Sequence, residues 1–318
     1  MPAVNENLVE PSQNKNLILP NFLIAGSAKC GTSSLHSYLA QHPEIFMSKK
    51  KEPRFLSSQG MSFPLNGPLD YRVEKWYVKK FADYCDLFLS ALNFKVVGES
   101  SADTLYFHSH TISTIKKYLG DPKIVIVLRN PVKRSFSAYQ HLVRDNREPL
   151  SFEDALLQES DRIKNNWELI YHYRAVSHYY EPVKAFLDSF TNVKVVFNED
   201  LEKRPHEVLS EVFGFLGVDT SFKVKDSTTK HNMSGKPRSR WLHEFLFEGH
   251  ALRDFLRPAI RFFIPSEKRK SISLKIQQKN LTQMKINPET AAMLKNEYRE
   301  EILKLEKLLN HDLSSWLM

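Results

Sequence analysis

Residues 26–34 (GSAKCGTSS) combine two glycines, a lysine and three consecutive hydroxyl residues, a composition typical of a loop that binds an anion. A Walker A loop reads GxxxxGK[ST], with backbone amides around phosphate and a lysine directly after the second glycine. Gly26 and Gly31 keep that glycine spacing, but Thr32 stands at the lysine position and the basic residue is Lys29, inside the loop. The pattern therefore predicts an oxyanion site that differs from the usual site for ATP.

The elements on either side must present this loop. Residues 21–25 (NFLIA) are a short apolar run that ends at a glycine, which is typical of a buried parallel strand. Residues 32–40 open a helix with Leu35, Tyr38 and Leu39 on its apolar face. A strand, a glycine-bearing turn and a helix N-terminus would direct free amides and the positive end of the helix dipole at one oxyanion. The alternative is an ordinary strand-to-helix turn with a chance lysine.

A second anion site is predicted further along the chain. Residues 123–128 (KIVIVL) give the strongest strand pattern, and Arg129 follows at the carboxyl end, where open parallel sheets place their ligand crevice. Ser137 lies in the next helical segment, and the planar guanidinium of an arginine suits phosphate. Alone, this pair would indicate ordinary polar residues on the surface of a helix. Together with the first loop, it predicts two phosphate-binding groups, which suit a nucleotide phosphorylated at both ends.

Composition narrows the class of protein. The chain has 318 residues, of which 42% are hydrophobic and 26% charged, as in a soluble globular protein with a sizeable core. The formal net charge of +8 favours polyanionic ligands, such as nucleotide phosphates, sulfated or carboxylated sugars, acidic membranes or nucleic acid. The two cysteines, Cys30 and Cys85, argue against a disulfide-stapled secreted domain and leave no cysteine cluster for a metal.

Targeting signals are not evident in the sequence. Residues 1–16 are polar, without the basic start and apolar core of a signal peptide, and no run of 18 apolar residues predicts a transmembrane anchor. We therefore expect a cytoplasmic protein, for which peripheral membrane contact remains open. The oligomeric state is not predicted.

Strand and helix patterns alternate along the chain. Strands are predicted at 21–25, 95–98, 123–128 and 193–197, with helices between them and a last helix from Asn287 to about Leu309. Strands separated by helices imply a parallel sheet covered on both sides. We predict an α/β fold, a P-loop-like parallel β-sheet flanked by helices, in a single domain over residues 19–318 that follows a polar tail over 1–18 and ends in a helical segment.

The motifs resemble those of the sulfotransferases that use 3′-phosphoadenosine 5′-phosphosulfate (PAPS). Residues 28–34 are similar to the 5′-phosphosulfate loop of that family, and residues 41–43 (QHP) are similar to the residues that follow its helix. Residues 128–141 (LRNPVKRSFSAYQH) resemble the 3′-phosphate motif, with Arg129 and Ser137 as the matching pair.

Three further segments extend the resemblance over roughly residues 20–316. Residues 51–55 (KEPRF) resemble the KEPxF segment of the carbohydrate (heparan-type) branch, and residues 97–101 (VGESS) resemble its GE[KA][ST]P stretch. Ser100 departs from that stretch, because animal members often carry a lysine there. Residues 231–240 (HNMSGKPRSR) are similar to a basic loop of bacterial members that closes over the 3′-phosphate and adenine.

The resemblance implies a role for each matching residue. Lys29 would stabilise the leaving 5′-phosphate, and Glu52 would be the catalytic base. The residues expected to bind the nucleotide are Lys29, Cys30, Gly31, Thr32, Ser33, Ser34, Arg129, Ser137, Gly235, Lys236 and Arg238. No metal is expected, because the donor is activated by its mixed anhydride.

The identity of the base has an alternative. Lysines 49–51 would lower the pKa of Glu52 and burial would raise it, so the sequence leaves the sign of the shift open. His108 and His110 are the rival bases, since the cytosolic branch of the family uses a histidine located between the two nucleotide motifs.

Three classes of function follow. The first is a PAPS-dependent sulfotransferase that gives 3′,5′-adenosine bisphosphate and acts on the hydroxyl or amine of a saccharide or glycolipid, or alternatively of a lipid or natural product. The second is a P-loop small-molecule kinase that uses ATP-Mg. The third is an anion-binding protein without catalysis. A small-molecule or saccharide partner is expected, and no nucleic acid.

Overall fold

The computed structural model describes residues 17–225, 236–237, 281–282 and 284–318. Its centre is a sheet of five parallel strands in the order β2-β3-β1-β4-β5. These strands are β1 (Phe22–Gly26), β2 (Ile45–Met47), β3 (Val96–Ser100), β4 (Lys123–Leu128) and β5 (Val193–Phe197). The predicted α/β fold with a parallel sheet flanked by helices is confirmed. The predicted domain limits remain a prediction.

The middle of the sheet is buried on both faces. Strands β1 and β3 are buried along their whole length, as a parallel sheet covered by helices requires. Gly98 of β3 pairs with Phe22 of β1, and a Cβ at Gly98 would lie 2.5 Å from the Phe22 ring and 2.8 Å from Met47 Sδ. A glycine is therefore required where β1, β2 and β3 pack together.

Helices of two size classes surround the sheet. The longer ones have eight residues or more: α1 (Thr32–Leu39), α5 (His108–Leu119), α6 (Pro131–Arg144), α9 (Tyr180–Ser189), α11 (Pro205–Leu216) and α12 (Pro288–Leu309). The shorter ones have four to six: α2 (Phe55–Ser58), α3 (Asp70–Glu74), α4 (Phe81–Asp86), α7 (Phe152–Leu157), α8 (Glu159–Lys164) and α10 (Asn198–Lys203). Among the described residues, 3₁₀ turns lie at Leu89–Ala91, Leu169–Tyr171, Ala175–Ser177 and Ser314–Trp316. A separate antiparallel pair joins β6 (Lys236–Pro237) to β7 (Leu281–Thr282).

The last helix begins where its capping signal predicts. The side chain of Asn287 accepts a hydrogen bond from the backbone N–H of Glu289 at 2.9 Å, and proline occupies the first helical position. The face formed by Leu294, Tyr298, Ile302 and Leu305 is buried as predicted, and Leu309 packs against its edge.

The loops at the carboxyl edge of the sheet position the functional side chains. The chain leaves β1, β3, β4 and β5 at the same edge, so residues 27–31, 101–104, 129–130 and 198 converge there. This is the edge at which open α/β sheets bind ligands. Within the part of the chain that the structure describes, no helix is both long enough and apolar enough to cross a membrane.

Candidate active site

A cavity of about 390 Å³ opens at the carboxyl edge of the sheet. It is lined by loop residues that follow β1, β3, β4 and β5, together with side chains of α1 and α6 and the segments around 52 and 169. The residues predicted from sequence that line it are Lys29, Gly31, Thr32, Ser33, Ser34, Glu52, Arg129 and Ser137. One cavity therefore contains both predicted anion sites and the predicted base.

The loop after β1 presents backbone amides at the start of α1. Gly31 caps this helix with φ at 99°, where a side chain would be strained, and a Cβ there would lie 2.7 Å from Asn198 Nδ2. The N–H of Cys30 is used within the loop, donating to the Ser27 carbonyl oxygen at 3.1 Å. The N–H groups of residues 31–33 belong to the first turn, which has no intrahelical acceptor for them, so they are suited to an anion.

Lys29 is the cation of this loop, and it lies among other positive charges. Its Nζ lies 3.3 Å from Nδ1 of His141 on α6. Burial and the nearby guanidinium of Arg144 together lower the pKa of Lys29 to about 7, although the Asp145 carboxylate opposes them. The backbone of Lys29 has φ at 71°, a strained value for a non-glycine residue.

The second anion site adjoins the first. Nη1 of Arg129 donates to the carbonyl oxygen of Lys29 at 3.4 Å, and Ser137 is buried on α6. Below them, the fully buried Arg134 donates from Nε to the Ala28 carbonyl oxygen at 3.1 Å and from Nη1 to the Tyr173 carbonyl oxygen at 3.0 Å. Arg134 thereby ties the β1 loop to α6 and adds a buried positive charge beneath it.

Glu52 lies in a tight turn with φ at 56° and is held by several donors. Lys51 Nζ donates to its Oε1 at 2.6 Å, and the N–H of Ala102 donates to its Oε2 at 3.0 Å. Nε of Arg54 lies 3.5 Å from Oε2. Burial raises the pKa of Glu52, but Lys51 and Arg54 outweigh it and hold the pKa below its usual value. The carboxylate is therefore ionised at neutral pH and can accept a proton.

Arg54 connects this base to a buried acidic cluster. Its Nη1 donates to Glu168 Oε1 at 3.1 Å and to the Tyr77 hydroxyl at 2.9 Å. Its Nε lies 4.0 Å from Asp103 Oδ2, which also accepts from the Ser57 hydroxyl at 2.6 Å. Burial raises the pKa of Asp103 to about 6. The positive charge of Arg54 therefore offsets the negative charges of Asp103, Glu168 and the base itself.

The rival histidines lie apart from these groups. His108 Nδ1 is 3.3 Å from the Tyr106 carbonyl oxygen, and His110 Nε2 donates to the Ser57 carbonyl oxygen at 2.9 Å. Neither side chain lines the cavity.

Four other residues that were predicted to bind the nucleotide are not among those that line the cavity. Cys30 is buried behind the loop, with its Sγ 3.5 Å from the Tyr179 hydroxyl. Lys236 belongs to β6, where its backbone pairs with Thr282, and its side chain is outside the description. Gly235 and Arg238 lie outside the described residues.

Sequence reasoning assigned no role to several side chains that line the cavity, among them His141, Arg54 and Asp103. His141 had a signal, because it lies four residues after Ser137 and thus on the same face of α6. Asp103 had no such signal and Arg54 occupies the variable position of the KEPxF segment, because the importance of both comes from contacts between segments far apart in sequence.

The chain belongs to the sulfotransferase family, whose sequence model matches residues 20–222. The crystal structure of a sulfotransferase from Alicyclobacillus acidocaldarius superposes with a TM-score of 0.75 at 33% identity, over 95% of this chain and all of that one. The recognition made from the motifs is thus confirmed.

Curated relatives match part of the chain. The membrane-associated sulfotransferase kil1 of Dictyostelium discoideum is 36% identical over 165 residues, which are 50% of this chain and 32% of that protein. Carbohydrate sulfotransferase 15 of Mus musculus is 27% identical over 178 residues, 46% of this chain and 31% of that protein. The matches therefore span about a third of the length of these two relatives.

Proposed function

We propose that this protein transfers the sulfuryl group of PAPS to a hydroxyl or amine of an acceptor and releases 3′,5′-adenosine bisphosphate. The observation that carries the proposal is that Lys29, Glu52, Arg129 and Ser137, which come from four separate segments, line one cavity. Membership of the sulfotransferase family supports the same reaction.

The two anion sites fit the two ends of the donor. The amides at the start of α1 and the Lys29 ammonium suit the 5′-phosphosulfate. Arg129 and Ser137 suit the 3′-phosphate, since a guanidinium and a buried hydroxyl both donate to phosphate oxygens. A nucleotide without a 3′-phosphate would leave Arg129 and Ser137 without a phosphate to bind.

The transfer is an in-line displacement that relies on positioning and neutralisation of charge. The acceptor oxygen or nitrogen forms a bond to sulfur while the bond from sulfur to the 5′-phosphate oxygen breaks. The acceptor proton passes to the Glu52 carboxylate. The negative charge that develops on the leaving phosphate is stabilised by Lys29 and the loop amides, as in an oxyanion hole. These roles need no metal, and we expect that EDTA leaves turnover unchanged.

Glu52 is favoured as the base over the two histidines. Its carboxylate lines the cavity with a lowered pKa, whereas His108 and His110 do not reach the lining. We expect His108→Ala and His110→Ala to keep turnover within a small factor of the parent. A dead histidine variant together with an active Glu52→Gln would transfer the role to the histidine.

A saccharide or glycolipid is the acceptor that we propose first. Matched relatives are named as a carbohydrate sulfotransferase and, in Caenorhabditis briggsae, as a heparan sulfate N-deacetylase/N-sulfotransferase. A lipid or natural-product acceptor is the alternative. A panel of neutral glycosides, amino sugars, sulfated oligosaccharides and lipid alcohols, incubated with labelled PAPS and read by mass, distinguishes these classes.

Thermal shift separates the proposed function from the two others. 3′,5′-Adenosine bisphosphate should raise the melting temperature, because a ligand that binds only the native state stabilises it. ATP-Mg should raise it much less, since Lys29 is not placed for a γ-phosphate. Stabilisation by ATP-Mg alone would indicate a kinase, and stabilisation by neither nucleotide would indicate a protein that binds other anions.

A further inference from the structure

The neighbours of His141 determine which of its nitrogens carries the proton. Nδ1 lies 2.8 Å from Nη2 of Arg144 and 3.3 Å from Nζ of Lys29. Arginine and protonated lysine can only donate, so Nδ1 must accept and the proton must be on Nε2. Nε2 lies 3.3 Å from Oδ2 of Asp145, a carboxylate that can only accept when ionised. The imidazole is therefore neutral, and its protonated Nε2 is in contact with the Asp145 carboxylate.

Asp145 is itself fixed by the neighbouring arginine. Arg144 Nε donates to Asp145 Oδ1 at 2.7 Å, and its Nη2 donates to Oδ2 at 3.2 Å. The same Nη2 also reaches the imidazole, so Arg144 and Asp145 contact opposite nitrogens of one ring. This pair stands at the C-terminal end of α6, about two turns beyond Ser137.

We propose that Asp145, oriented by Arg144, is a positioning residue that holds the His141 ring so that Nδ1 retains Lys29 beside the anion site until the nucleotide takes it. This inference rests on the proposed role of Lys29 at the leaving 5′-phosphate. Asp145 itself does not line the cavity and acts only through His141.

The distances explain why the lysine is held and yet released readily. The single lone pair of Nδ1 is shared between Arg144 at the shorter distance and Lys29 at the longer one. When Lys29 turns to a phosphate oxygen, Arg144 still satisfies Nδ1. No buried acceptor is left without a donor, which is the usual cost of breaking such a contact.

The first test measures the tautomer in the unmodified protein. Two-dimensional ¹⁵N NMR of histidine-labelled protein, with the His141 signal assigned by its loss in His141→Gln, should show a protonated Nε2 and an unprotonated Nδ1. An Nδ1–H tautomer, or an imidazolium at neutral pH, would overturn the proposal without any variant of Asp145.

The second test uses matched variants of Asp145. Loss of an outer partner of a metal-binding histidine costs 10–100-fold, and we expect the low end here, so Asp145→Asn should lower kcat about tenfold with the acceptor KM unchanged. It should also move the pH midpoint of 3′,5′-adenosine bisphosphate binding downward, because a negative charge near Lys29 is lost. Asp145→Glu should restore kcat to within about threefold of the parent. Asp188→Asn, at an exposed aspartate paired with Lys184 on α9, is the control and should change nothing.

The outcomes separate this inference from the proposed function. If Lys29→Ala leaves nucleotide binding and turnover unaltered, the role of Lys29 itself is wrong. If Lys29→Ala is inactive but Asp145→Asn keeps the parental kcat and pH midpoint, only the positioning role of Asp145 is overturned. A fall in kcat that Asp145→Glu does not rescue, with an unchanged pH midpoint, would indicate a merely structural residue and would also overturn it.

Discussion

Binding of 3′,5′-adenosine bisphosphate should take up a proton at Lys29. In the free protein the pKa of Lys29 is lowered to about 7, chiefly by burial and by Arg144. At pH 8 a group with that pKa is neutral in about nine-tenths of the molecules. A phosphate beside Nζ restores the ammonium, so binding should take up about 0.9 proton at pH 8. The complex then binds more protons than the free protein, and rising pH should weaken binding.

The size of the effect follows from the same pKa. Between pH 7.5 and 9 the dissociation constant should rise about tenfold per pH unit, or about 1.4 kcal/mol per unit. Phosphate groups, with a second pKa near 6, are already ionised over this range and do not contribute. The other charged neighbours of Lys29 are Arg129, Arg134, Arg144 and Asp145. The pKa of His141 is held well below its usual value by burial and by Lys29, so His141 stays neutral.

Isothermal titration calorimetry measures this uptake directly. Titrations at pH 8 in two buffers of different ionisation enthalpy give the number of protons bound with the nucleotide. Lys29→Met, which keeps the length of the side chain, is the control and should abolish both the uptake and the pH slope. No uptake in the parent protein, or equal uptake in the Lys29→Met variant, would refute the assignment of the proton to Lys29.

Three further outcomes are expected. Arg129→Ala and Ser137→Ala should weaken 3′,5′-adenosine bisphosphate by about 1.5–3 kcal/mol and adenosine 5′-phosphate much less, measured by calorimetry; equal weakening would show that they do not bind the 3′-phosphate. Glu52→Gln should lower kcat on a hydroxyl acceptor by about 10²–10⁴ at nearly unchanged nucleotide affinity, and parental kcat would exclude Glu52 as the base. Arg162→Ala should lower the free energy of unfolding by about 3–5 kcal/mol in urea titrations. In the parent protein Arg162 Nη2 lies 3.1 Å from the buried Glu148 carboxylate, and the substitution leaves that carboxylate without a cation. An unchanged midpoint would contradict this.

The sequence predicts those parts of the fold that carry long apolar patterns or cap signals. Strand β4 coincides with the predicted 123–128, and α12 begins after the predicted Asn287 cap. The sequence predicts no strand or helix between 47 and 93, and it does not predict the three-residue strand β2 either. Helices α2 to α4 have four to six residues, which is too short for a 3.6-residue period to be recognised.

The candidate site likewise has features that the sequence predicts and features that only the structure shows. The loop around Lys29 and the pair Arg129 and Ser137 carry local motifs, and their convergence follows from the parallel sheet, whose strand ends share one edge. The pKa of Lys29 could not be predicted, because it depends on burial and on charges at the far end of α6. The sign of the Glu52 shift was likewise open, since Arg54 contacts it only after a turn with positive φ brings the two side chains together.

The most direct test of the central claim is a single-turnover assay with labelled PAPS, purified protein and the acceptor panel, run in parallel with Lys29→Ala. The account predicts that an acceptor gains one sulfuryl group as 3′,5′-adenosine bisphosphate appears in equal amount, and that Lys29→Ala slows this by about 10²–10³. Transfer from PAPS that proceeds at the parental rate in Lys29→Ala, or phosphate transfer from ATP-Mg with none from PAPS, would contradict it.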